Sequence, residues 1–137
     1  MQFDIDGMAP MDRYELLLGS IVPRPIALVT TVGSDGRVNA APYSLFNVMG
    51  HDPAVAMISF LTHPEARLTD TENNILATKE FVINLVSEAV AEAMNIICID
   101  SPPGINELEL ANLKTTASVR VKPPRIIASP AALSAAS

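Results

Sequence analysis

A chain of 137 residues that is 49% apolar is one domain by length and can bury a substantial core. Only 18% of residues are charged, the net charge is −6, and no Lys/Arg cluster is present, which excludes a disordered composition and argues against a nucleic-acid partner. The single cysteine, Cys98, excludes an intrachain disulfide; with no signal peptide and no apolar run near the roughly 20 residues of a membrane span, a cytoplasmic protein without a membrane partner is expected.

Residues 1–22 read as a lead-in, with a short helix or turn over Met11–Leu18. From Pro25 to Val32 the β-branched run predicts a short strand buried on both faces. Gly33-Ser34-Asp35-Gly36 supplies turn chemistry, and Arg37 to Tyr43 reads as the returning strand of a hairpin. His51-Asp52-Pro53 breaks the chain before a further strand, Ala54–Leu61. Thr69-Asp70-Thr71-Glu72 matches a capping box and opens a helix to about Thr78.

Phe81–Val86 is strand again, and Ser87 caps a second helix carrying Val90, Ala93, Met94 and Ile97 at i, i+3, i+4 and i+7. The isoleucines around Cys98 predict a small buried thiol. Ser101-Pro102-Pro103-Gly104 is a loop, and Ala117–Lys122 a short extended piece ending at Pro123-Pro124. The tail from Ala128 to Ser137 offers little that can pack and is expected to fray. Strands outnumber helices, so the expected class is mainly β, a small β-barrel with two peripheral helices.

Anchors for Rossmann, P-loop and hydrolase-elbow chemistry are absent, because no GxGxxG, GxxxxGK[ST] or GxSxG occurs. His51 and His63 both stand beside turn prolines and predict no metal site. Glu107 and Glu109 read as a solvated face. What remains is a strand ending in small polar residues and a helix start rich in hydroxyls and amides. Together they leave amides and hydroxyls facing a cleft, which suits a planar, phosphate-bearing ligand.

Pro23-Arg24-Pro25-Ile26-Ala27-Leu28-Val29-Thr30-Thr31, Asp35-Gly36-Arg37-Val38-Asn39-Ala40-Ala41-Pro42-Tyr43-Ser44, Phe46-Asn47 and Asp52-Pro53 resemble the flavin reductase-like family of FMN-binding split barrels. The likeness continues through Asp70-Thr71, Asn74-Ile75, Glu80-Phe81-Val82-Ile83-Asn84 and Pro124-Arg125-Ile126. It covers about residues 20–130 of a single domain spanning 1–137, with 131–137 expected as a weakly structured tail. The resemblance implies a homodimer that binds FMN near the subunit interface. It would take hydride from NADH or NADPH and pass electrons to an acceptor the sequence does not identify. FAD in place of FMN stays open, and no catalytic residue is assigned.

On this resemblance, the strand Asn39, Ala40, Ala41, Pro42, Tyr43 and Ser44 runs along the flavin ring. Ala40 and Ala41 would allow close approach, and Ser44 would offer a hydroxyl. Asn47 would bond the pyrimidine edge or the ribityl chain. Ser59 and Thr71 would hold the phosphate with the helix start Thr69-Asp70-Thr71, and Arg67 would add a charge-assisted bond. Structural alternatives stand beside each role: tight strand packing for the alanines, capping for Thr69 to Thr71, a turn for Asn47, a solvated charge for Arg67. Arg24 is read as a turn residue outside the site.

Two departures from the family pattern shape the expectation. Thr69 stands where the family carries a basic residue, and the family continues beyond this chain's last residue, so an incomplete C-terminal barrel is expected. They keep two alternatives to an NAD(P)H-dependent flavin oxidoreductase in view: a non-catalytic FMN-binding electron carrier, and a truncated dimeric relic with an empty cleft.

Overall fold

The β-branched run forms strand β1 (Ala27–Val32), whose first five residues are buried. It lies inside an antiparallel sheet of order β2-β1-β5-β8, with β2 at Val38–Tyr43, β5 at Glu80–Leu85 and β8 at Ala132–Ala136. A computed structural model of the chain describes residues 2–61, 67–99 and 105–136. His63 and the expected loop Ser101–Gly104 lie outside the described residues.

Asp35 and Gly36 close the β1–β2 hairpin as the turn chemistry predicts. Gly36 takes φ 83°, and Asp35 Oδ1 accepts from the Arg37 amide at 3.0 Å. A separate antiparallel hairpin joins β3 (Phe46–His51) to β4 (Ala54–Ile58), and a short ribbon joins β6 (Thr115–Thr116) to β7 (Arg125–Ile126). None of these sheets closes on itself among the described residues, as in a split barrel.

Alternation along β1 sends side chains to two cores. Leu28, with Ala40, packs under Val90, Ile97, Leu108 and Ala111, which come from α3 (Glu88–Ile97), α4 (Glu107–Leu110) and the turn after it. Ala27 and Val29 face the other way, against Phe46 and Ile83, with Tyr43 and Ile58 alongside. Helix α2 (Asp70–Thr78) packs on β1 and β2.

Buried polar groups in the sheet are paired, as burial demands. Asn84, fully buried on β5, donates to the Leu28 carbonyl at 3.0 Å and accepts from the Ile126 amide at 2.8 Å. Thr30 donates to the Pro124 carbonyl at 2.6 Å, so both ends of the β6–β7 ribbon's return are tied to the sheet.

Four expectations are corrected. The tail is not frayed: Ala132–Ala136 pairs with Glu80–Asn84 residue by residue, because β5 offers an open ladder that small side chains can join without clashing. Ala117–Lys122 is not a strand; the pairing residues flank it, at Thr115–Thr116 and Arg125–Ile126. Cys98 follows the last turn of α3 and is exposed, its neighbour Ile97 taking the buried position. Glu107 is buried rather than solvated. The lead-in forms α1 (Pro10–Ser20), which buries none of its residues, and Arg24 donates to the carbonyls of Leu18 and Ile21 at its C-terminal end. No helix among the described residues is long and apolar enough to cross a membrane.

Candidate functional site

Residue chemistry at the start of α2 builds one wall of the site. Thr69 accepts from the Glu72 amide at 3.3 Å, and Glu72 Oε2 accepts from the Thr69 amide at 2.9 Å, completing the capping box. The Thr69 hydroxyl also donates to Glu72 Oε2 at 2.9 Å. This cap leaves the Asp70 and Thr71 amides, at the positive end of the helix, outside its own bonds. Asp70 and Glu72 place two acidic groups in that same turn, which offsets part of its attraction for an anion.

The end of β2 builds the opposite wall, and both the start of β2 and β1 are fastened to α2. Asn39 Nδ2 donates to Thr71 Oγ1 at 2.8 Å, and Asn74 Nδ2 donates to Thr31 Oγ1 at 3.0 Å. The Tyr43 phenol lies near the side chains of Thr71 and Thr69. Burial holds that phenol above its ordinary value of 10.0, against the lowering effect of the two nearby hydroxyls, so Tyr43 is neutral at physiological pH. Its ring meets Phe60 edge-on, with centroids 4.9 Å apart.

Between these walls lies a cavity of about 320 Å³, at the small end of the range for small-molecule sites. Pro42, Tyr43, Ser44, Ser59 and Thr69, all predicted from the sequence, line it together. Leu45, Phe60 and Leu61 add apolar surface, and α1 contributes Tyr14 and Leu18. Tyr14, Leu18, Leu45, Phe60 and Leu61 were missed in the sequence; they reach the cavity through tertiary packing, for which no local pattern exists.

The remaining predicted residues fall elsewhere. Asn39 and Asp70 line a separate, smaller cavity of about 180 Å³. Ala40 and Ala41 cannot both face one ligand, because successive residues of a strand point to opposite faces; Ala40 is buried in the core beneath α3 and α4. Thr71, only 1% exposed, does not line the cavity, and its hydroxyl accepts from Asn39. Asn47 is exposed on β3, where its side chain accepts from the Val48 amide at 2.8 Å. Arg67 is exposed two residues before the cap. Among the described residues, no group of three or more His, Cys, Asp and Glu side chains could hold a metal ion.

These walls form an aromatic and aliphatic slot of modest size beside the hydroxyls of Ser44, Ser59 and Thr69. The model of the flavin reductase like domain family matches residues 18–136. A protein of Aquifex aeolicus is 50% identical over 126 residues, covering 92% of this chain and 64% of its own length. The structure of Pseudomonas fluorescens 2-nitrobenzoate 2-nitroreductase NbaA superposes with a TM-score of 0.85 at 40% identity, over 98% of this chain and 64% of that one. Nitrilotriacetate monooxygenase component B of Bacillus cereus gives 0.91 at 32% identity, over 98% and 66%. The chain thus spans about two thirds of the length of the proteins it matches.

Proposed function

Because the chain belongs to the flavin reductase-like domain family, we propose that it is an FMN-binding oxidoreductase using NADH or NADPH, with its flavin site in the cavity between β2 and α2. The observation that carries this reading is the convergence of Pro42, Tyr43, Ser44, Ser59 and Thr69 on one cavity, from three separate stretches of sequence. The nitroreductase and monooxygenase component among the similar structures support oxidoreductase chemistry without naming this chain's acceptor.

Bound FMN would supply the two-electron chemistry between a reduced nicotinamide and the acceptor. The chain's own residues orient it. The backbone of Pro42–Ser44 and the rings of Tyr43 and Phe60 border the ring slot. The Ser44, Ser59 and Thr69 hydroxyls, which line the cavity, would bond the phosphate, with the N-terminal end of α2 behind Thr69. Thr71 would act indirectly, by holding Asn39 on β2.

A cytoplasmic homodimer completes the proposal. It is supported by apolar side chains left in solvent on the β3–β4 hairpin, where Val48, Met49 and Met57 are each more than half exposed. Titrating the purified chain with FMN and then adding NADH without oxygen tests the reading. Bound flavin that bleaches on NADH addition supports a reductase. Binding without bleaching leaves an electron carrier, and absence of binding rejects the flavin site.

A further inference from the structure

Glu107 is a buried carboxyl, 8% exposed, that the flavin reading does not use. It opens the short helix α4, and its Oε2 accepts from the Ala40 amide at 3.3 Å. Strand β2 ends its sheet, so one of its sides has no neighbouring strand. Ala40 stands opposite Thr30 in the antiparallel β1–β2 ladder. In such a ladder, alternate residues turn their amides toward the partner strand or away from it. An Ala40 amide bonded to Glu107 therefore points away from β1, onto the open edge. Pro42 has the same parity and no amide hydrogen to offer.

The side chain of Glu107 thus takes the place of a missing strand at one point of the β2 edge. The flanking Leu108 packs in the same core as Ala40 and holds α4 against the strand. The ligand cavity begins immediately beyond, at Pro42 and Tyr43. We propose that Glu107 is a positioning residue for the flavin site: by bonding the outer edge of β2 at Ala40 it fixes where the Pro42–Ser44 segment stands against the cavity. This rests on the flavin reading of that cavity.

The geometry requires an acceptor of the right reach, and it does not require a charge. Glu107→Gln keeps both the reach and an acceptor oxygen. Glu107→Asp keeps the charge and loses the reach, and Glu107→Ala loses both. Titration of folded variants with FMN should show binding weakened about tenfold in Glu107→Asp and Glu107→Ala, but within about twofold of the parent in Glu107→Gln. Should Glu107→Ala fail to fold, the Asp and Gln variants carry the comparison.

Amide hydrogen exchange, read without any flavin, gives the second measurement. The Ala40 amide should be protected in the parent and in Glu107→Gln, and should exchange faster in Glu107→Asp. Parent-like FMN affinity in the Asp variant overturns the positioning role. So does a Gln variant as weak as the Asp variant, or an Ala40 amide that exchanges freely in the parent. A parent that protects Ala40 yet binds no FMN overturns the flavin reading and the positioning role with it, and shows that the fold was not at fault.

Discussion

Thr71 ties α2 to β2 through one hydroxyl, and its removal separates support from contact. Thr71→Val keeps the shape and deprives the Asn39 side-chain amide of its acceptor. A buried donor left unsatisfied costs about 1–3 kcal/mol, so thermal or urea unfolding should register a loss of that size. Weakened FMN binding should accompany it, and a variant as stable as the parent would show that the junction is not holding the two walls together. Asn84→Leu should be harsher, because it removes the Leu28 carbonyl's donor and the Ile126 amide's acceptor at once; a loss of about 3 kcal/mol or more is expected in the same measurement. Glu107 carries a pH signature. Desolvation raises its pKa above the ordinary 4.5, more than its bonds to its own amide and to Ala40 lower it, and Asp70 adds like-sign repulsion. A carboxyl raised in the folded state stabilises the fold in its protonated form. That contribution is complete below the unfolded value and is lost as pH rises through the folded one. Glu107→Gln should therefore flatten the decline in stability just above pH 4.5, as followed by denaturant midpoints.

At the scale of elements, what could be read from the chain follows from how local the determining physics is. Strand β1 announces itself by a β-branched run buried on both faces, and α2 by side chains that bond their own backbone within four residues. Thr69→Ala should accordingly lower stability by about 1 kcal/mol through the cap alone, measurable by thermal unfolding. Strand β8 gives no such sign. Its sequence Ala-Leu-Ser-Ala-Ala has weak intrinsic preference for extended structure, and it becomes a strand by docking on β5. Proline scanning of Leu133 and Ser134 should find one position that lowers Tm by about 3 °C or more, since only one of two successive amides faces β5. The candidate site divides the same way. Its strand and helix-start residues were legible because small and hydroxyl side chains stand at element ends. The α1 wall and the burial of Glu107 were not, because both arise from contacts between distant stretches of chain.

Across the whole molecule, the apolar surface is unevenly kept from water. The sheet buries both of its faces, while the β3–β4 hairpin leaves Val48, Met49, Val55 and Met57 exposed, and α1 leaves Met11 and Leu17. The dimer reading predicts twice the chain mass by light scattering in solution. It also predicts that Val48→Lys with Met57→Lys returns the protein to the mass of one chain. A parent of single-chain mass at all accessible concentrations would end that reading.

Cys98, solvent-facing at the close of α3, has a practical consequence. Helix α3 lies on the side of the sheet that holds Ala40, whereas Tyr43 packs on the other. A maleimide dye placed there would report on occupancy of the slot by resonance transfer without obstructing it. Partial desolvation lifts the thiol above its ordinary 9.0, so conjugation should quicken markedly in mildly alkaline buffer, where more of the reactive thiolate is present.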